Sequence, residues 1–164
     1  MKVSFRRVRR VDLEELNRIV NDPDVCRFMS GVPPITMNST VKFYEQCGKS
    51  GWRWHCIFAD GKVVGSALLQ PVKKSSRSSH VAEFGVSIAR EYWGRGIGSK
   101  AVRFILQDAR SRGLKKVSLC VVEDNHRARR LYLRHGFREE GRLRKHTKVG
   151  GGYRDIILMA RLLR

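Results

Sequence analysis

The stretch HVAEFGVSIAREYWGRGIGSKAVRFILQDARSRGLKKVSLCVV, residues 80–122, constrains the fold more than any other part of the chain. It opens as a strand with Ala82, Phe84, Val86 and Ile88 on one face and Val81, Glu83, Gly85 and Ser87 on the other. Gly94, Gly96 and Gly98 follow at every second position. Ile97, Ala101, Phe104, Ile105 and Ala109 then recur with the spacing of one helical face, which Gly113 is placed to close. The apolar run KKVSLCVV reads as a buried strand. Strand, helix and strand in this order make a crossover, which sets the two strands parallel and puts the glycines where strand becomes helix.

The flanking segments complete the architecture. Residues 3–9 read as a first strand. Asp12 followed by Glu15 is a capping-box pattern for a helix over 12–21, and a second helix is expected over 38–48, after Pro33-Pro34. Two apolar runs meet at Asp60-Gly61, the dipeptide suited to a type I′ hairpin turn, and a polar loop follows over 73–79. Asn125 begins a further helix with Ala128, Leu131 and Tyr132 on one stripe, Gly136 closes it, and FREEGRLRK and YRDIILMARLL read as late strands. These elements predict an α+β, or mixed α/β, fold: one domain over 1–164, built on a largely antiparallel sheet with a single βαβ crossover.

A helix N-terminus carries unpaired amide N–H groups and partial positive charge, so glycines leading into it suit an anion, above all a phosphate. Two familiar phosphate motifs fail on spacing. The GKS at Gly48 lacks the upstream glycine of a P-loop, and Gly94, Gly96 and Gly98 do not make the dinucleotide fingerprint. On spacing alone a tight strand-to-helix turn explains the glycines equally well.

Thirty-four Lys and Arg against fifteen Asp and Glu leave a formal charge of +19, which draws anionic partners such as phosphates, nucleic acid or acidic protein surfaces. The excess is dispersed rather than gathered into a basic arm, which fits a solvated surface; nucleic-acid binding stands as an alternative. Cys26, Cys47, Cys56 and Cys120 form no C-x-x-C pair and the five histidines no ligand-spaced cluster, so no metal site is expected. The basic opening segment lacks the apolar run of a signal peptide, and no later stretch reaches the ~20 apolar residues of a membrane span. The expectation is a cytoplasmic protein with reduced thiols and no membrane partner.

FGVSIAREYWGRGIGSKAVRFIL followed by VSLCVVEDNHRARRLYLRHGFREEG resembles the two signature segments of the GCN5-related N-acetyltransferase (GNAT) family, together covering residues 83 to about 141. Within it, YWGRG and the terminal GFREEGRLRK and GGYRDIILMARL segments are similar to the branch of ribosomal-protein, phosphinothricin and amino-acid acetyltransferases. The resemblance implies a sheet splayed between its fourth and fifth strands and acetyl-coenzyme A as co-substrate, without a metal. It implies that the pantetheine arm lies along Val86, Ser87 and Ile88. The pyrophosphate would rest on the backbone of Gly94, Arg95, Gly96, Ile97, Gly98 and Ser99, with Arg95 adding charge. Trp93 stands where the family motif usually has Gln or Arg.

The same resemblance assigns the chemistry. The thioester carbonyl would accept from a main-chain N–H near Val86 or Ser87. Tyr132, seven residues after Asn125, matches the family's proton donor to the departing thiolate; packing in the core is its structural alternative. Asn125 orients the pantetheine arm or caps its helix. Glu83 is the candidate base, directly or through a water, with an arginine ion pair as the alternative. Arg127, Arg129 and Arg130 are candidates for the 3′-phosphate, or are simply solvated. Cys120 occupies the position where ribosomal alanine acetyltransferases carry a glutamate. The implied function is acetyl-coenzyme A-dependent N-acetylation of a primary amine on a small molecule, peptide or protein N-terminus. The basic segment GRLRKHTKVGGGYRD would rim the acceptor site and suit an acidic acceptor or a ribosomal surface. A homodimer is expected by analogy, and a non-catalytic acyl-coenzyme A-binding module is the alternative.

Overall fold

In the computed structural model residues 1–72 and 76–164 are described, and among them seven strands form one sheet, in the order 1-2-3-4-5-7-6 by position along the chain. The first three residues of the expected polar loop, 73–75, lie outside the described residues. The elements are β1 (Val3–Arg7), α1 (Leu13–Asn21), α2 (Pro23–Cys26), α3 (Met37–Ser50), β2 (Arg53–Ala59), β3 (Lys62–Pro71), β4 (Val81–Ile88), α4 (Ile97–Ser111), β5 (Lys116–Val122), α5 (His126–Arg134), β6 (Arg138–Val149) and β7 (Gly152–Leu162). The mixed α/β architecture with one crossover matches the sequence reading, and α2 is an addition to it. β4 and β5 are parallel; all other neighbouring strand pairs are antiparallel.

Local chemistry explains most boundaries. Asp60 and Gly61 take φ of 47° and 82°, the conformation a two-residue I′ turn needs, and join Ala59 to Lys62. Thr36 caps α3 by accepting from the Ser39 N–H at 3.1 Å. Asp12 occupies the N-cap position of α1, which begins at Leu13, but the expected capping box is corrected: the Asp12 side chain makes no cap bond to α1, and the residue ends a 3₁₀ turn over Arg10–Asp12. Asp12 is held by a bidentate pair with Arg6, both bonds 2.8 Å, and by the Arg9 N–H at 2.7 Å. Burial acts to raise its pKa, but these hydrogen bonds outweigh it and hold the carboxyl below the usual carboxylate range. Glu15, the other half of the expected box, pairs instead with Arg18.

Both faces of the sheet are covered. α4 packs Val102, Ile105 and Ala109 against Ala67, Leu69, Ala82 and Phe84, all enclosed. On the other face α1 and α3 bring Leu13, Leu16 and Cys47 against Trp54 and Cys56. Burial of a Leu or Ile side chain is worth about 1.5–3 kcal/mol, so these two layers fix the sheet between them.

A candidate acetyl-transfer site in the splay between β4 and β5

Pairing between β4 and β5 runs only from Val81 to Glu83, opposite Lys116 to Ser118. Both strands continue for several residues beyond it, so they diverge and open a cleft at their C-terminal ends. The opposite edge of β4 stays paired with β3 in unbroken register from Pro71↔Ala82 to Gly65↔Ile88. Its ends are marked by Val72 N–H donating to Val81 C=O and Ala89 N–H donating to Val64 C=O. Since antiparallel ladders bond alternate residues, the odd-numbered residues of β4 exchange bonds with β3. The backbone groups of Phe84, Val86 and Ile88 turn toward the cleft. Between the two expected carbonyl donors the register therefore favours Val86, because the Ser87 N–H is committed to Ser66 of β3.

Trp93 closes the end of this strand. Its Nε1 donates to the Ile88 carbonyl at 2.7 Å, and the guanidinium of Arg127 lies 3.4 Å from its ring centroid. The residue that departs from the family motif thus anchors the loop and carries a cation of α5 on its face.

The glycines have separate reasons. Gly94 and Gly96 both sit at φ 76°, a region open to glycine, and a Cβ there would meet nothing within 4 Å. Gly98 has an ordinary φ, but a Cβ would lie 2.9 Å from Leu131 Cδ2 of α5. Of the two readings that spacing left open, the tight turn accounts for Gly94 and Gly96 through their conformation, and helix packing accounts for Gly98. The result is a 15-residue helix whose N-cap, Gly96, supplies no capping side chain and whose first turn holds no carboxylate. Ile97, Gly98 and Ser99, whose amides open the helix without the usual side-chain acceptor, line a cavity, an arrangement suited to an anion. The Ser99 hydroxyl is engaged with His135 Nε2 at 2.5 Å, leaving its backbone for that role.

A cavity of about 1130 Å³ joins the cleft to the α1–α3 side of the sheet. Val86, Ser87, Ile88, Trp93, Gly94, Gly96, Ile97, Gly98, Ser99, Asn125, Tyr132 and Glu83 all line it. Arg95 and Arg130 are exposed and outside the lining, whereas Arg127 and Arg134, of which the sequence reading named only Arg127, belong to it. Asn125 caps α5, its Oδ1 accepting from Ala128 N–H at 3.2 Å. Tyr132 is buried edge-on to Phe84, with centroids 6.2 Å apart, and tilted against Phe137. Burial pushes its pKa well up, so the phenol stays protonated. Its hydroxyl has no hydrogen-bond partner among the described residues.

Glu83 is exposed within the cavity wall, and no ion pair joins it to a described residue. Cys120, on the same face of the diverging β5, has its thiol pKa raised by burial and by the nearby Glu83. The β6–β7 hairpin rims the cavity with Leu143, His146, Thr147 and Ile156. Its cations are partly neutralised: Arg142 bridges Glu123 and Asp155 at 2.5 Å each, and Arg154 meets Asp124 at 3.4 Å. The hairpin's lining residues, apart from Ile156, fall within the segment GRLRKHTKVGGGYRD that the sequence reading put at the rim, whereas no local motif marks the wall residues of α1 and α3, which converge from far apart in sequence.

Among similar proteins, an L-amino acid N-acetyltransferase of Escherichia coli is 33% identical over 65% of this chain. The match spans 65% of that relative, just under two thirds of its length. A spermidine N(1)-acetyltransferase of the same species is 26% identical over 96% of this chain and 84% of its own. The crystal structure of spermidine N-acetyltransferase from Vibrio cholerae, in complex with CoA and spermine, superposes with a TM-score of 0.88. It covers 98% of this chain and 95% of its own at 24% identity, a likeness of fold. A model of the acetyltransferase (GNAT) family matches residues 26–137. With more than half of the chain matched, around a splayed sheet and an uncapped glycine-led helix, the protein belongs to the GNAT family of acetyltransferases.

Proposed function

We propose that the protein is an acetyl-coenzyme A-dependent N-acetyltransferase acting on a primary amine, with Tyr132 and Glu83 as its acid and base. The observation that carries this reading is the coincidence of two features in one cavity. The unpaired edge of β4 at Val86 suits an extended amide arm, and the uncapped start of α4 suits a diphosphate.

When bound, acetyl-coenzyme A supplies an acetyl group activated as a thioester. The Val86 N–H donates to the thioester carbonyl oxygen and stabilises the charge that develops there. Glu83 accepts a proton from the incoming ammonium, directly or through a water, so that the amine lone pair is free to form the C–N bond. As the C–S bond breaks, the Tyr132 hydroxyl gives its proton to the leaving sulfur, and the second proton that the nitrogen sheds as the amide forms restores the phenol, directly or through solvent. Arg127 and Arg134, both on the cavity wall, complement the phosphate charges.

The test is calorimetric titration of acetyl-coenzyme A together with a thiol-release assay over a panel of amines. Binding plus amine-dependent thiol release supports the reading. Binding without turnover on any amine identifies an acyl-coenzyme A-binding module, and no binding at all removes both readings.

A further inference from the structure

The amine-accepting half of the cavity has an unusual charge pattern. Among the described lining residues Glu83 is the only carboxylate, although α1, α2 and α3 all carry acidic residues nearby. Two of these are already paired: Glu15 with Arg18 at 2.6 Å and Asp24 with Arg90 at 3.2 Å. The permanent cations of the lining, Arg127 and Arg134, both belong to α5. What remains on the α1–α3 side is largely apolar: Leu16, Phe28, Phe43, Trp54 and Leu68. Phe43 meets Trp54 edge-on at 5.0 Å, which gives this wall a fixed aromatic surface. Val32 and Leu143 extend it to an exposed apolar rim.

Resting on the acetyltransferase reading above, we infer that the acceptor is a primary monoamine with an apolar, preferably aromatic, body and no anionic group beside the amine. Each alternative meets a physical obstacle. A polyamine carries several positive charges into a cavity that offers one carboxylate, within a protein of formal charge +19, so its further ammonium groups lose water without gaining partners. A free amino acid brings a carboxylate to a wall that has no permanent cation, which leaves that charge desolvated and unpaired. An apolar body fills the pocket, and one ammonium meets one carboxylate. This acceptor class differs from those in the names of the similar proteins above.

Phenethylamine, methylamine, spermidine, phenylalanine and a short amidated peptide with N-terminal Phe provide the test. Each is assayed for thiol release from acetyl-coenzyme A and titrated calorimetrically into protein saturated with coenzyme A. Phenethylamine or the peptide should exceed methylamine, spermidine and phenylalanine in kcat/KM by about tenfold or more, since a hydrophobic pocket discriminates by about that factor per apolar group. Preference for the peptide over phenethylamine identifies a polypeptide N-terminus as the source, and the reverse identifies a free amine. Ser39→Glu adds a second carboxylate at an exposed lining position and should raise the spermidine to phenethylamine ratio several-fold without changing cofactor affinity. Spermidine or phenylalanine matching the aromatic monoamines in both rate and affinity overturns the inference. So does a failure of both aromatic monoamines to bind and to react. Selective binding of phenethylamine without turnover upholds the pocket assignment while removing the enzymatic reading.

Discussion

Gly65 lies against the backbone of β4 from the neighbouring strand. Val64 has no partner on β2, because the β2–β3 register shifts between Ile57 and Phe58, and Gly65 is the next residue. A Cβ built at Gly65 would lie 2.1 Å from the Ser87 carbonyl oxygen and 3.0 Å from Ile88 Cα. A carbon–oxygen contact is comfortable at about 3.3 Å, so Gly65→Ala has to push the two backbones roughly 1 Å apart. Ser87 O belongs to the ladder and cannot swing away as a side-chain tip would. The upper end of overpacking costs applies, about 3 kcal/mol, offset by roughly 0.4–1 kcal/mol from the stiffer unfolded chain. A net loss of about 2 kcal/mol lowers Tm by about 4–8 °C in a chain of this size. The same displacement moves Val86, one residue from the contact, and a 1 Å error in a carbonyl donor costs on the order of 10²-fold in kcat. Gly85→Ala is the control: its Cβ meets nothing within 4 Å, so stability should hold. Differential scanning calorimetry and thiol-release kinetics on both variants decide the matter. A Gly65→Ala protein with wild-type Tm and wild-type kcat would refute the claim that this contact positions β4.

Three further outcomes are expected. Tyr132→Phe keeps the ring contacts with Phe84 and Phe137 and removes a hydroxyl without a hydrogen-bond partner among the described residues. Tm and acetyl-coenzyme A affinity should stay unchanged while kcat falls about 10²-fold or more, and an unaltered kcat removes the proton-donor role. Glu83→Gln should lower kcat/KM for the amine by about 10²-fold near neutral pH. The deficit should shrink as pH rises toward the pKa of the amine, when solution supplies the free base; a pH-independent deficit points to a structural role instead. Acid stability should depend on His55, which is enclosed between Arg7, Arg53, Asp108 and the edge of Phe104. Burial, aided by Arg7, lowers its pKa to about 4 from 6.5. Between those values the unfolded chain binds the extra proton, so this contribution is complete above about pH 6.5. It is lost on descent to about pH 4, on the order of 3 kcal/mol in all. Urea melts across that window should show the slope in the wild type and lose it in His55→Gln; equal slopes reject the assignment.

The sequence by itself determined what depends on short separations. Alternation over 81–88, the helical repeat from Ile97 to Ala109, the Asp60-Gly61 turn and the seven-residue step from Asn125 to Tyr132 are local patterns, and the structure places each in the expected element. Only tertiary structure decided where β4 parts from β5, because that depends on which residues stop pairing across the crossover, at Glu83 and Ser118. It also decided that the backbone N–H of Val86 rather than that of Ser87 turns toward the cleft, since ladder parity is set by β3. Asp12 reads as a helix cap in sequence because its partner Arg6 competes for it only once β1 has folded back. Gly98 likewise answers to Leu131, on another helix. The cavity wall of α1, α3 and the β6–β7 hairpin brings together residues more than a hundred positions apart, and its largely apolar character cannot be read from any local window.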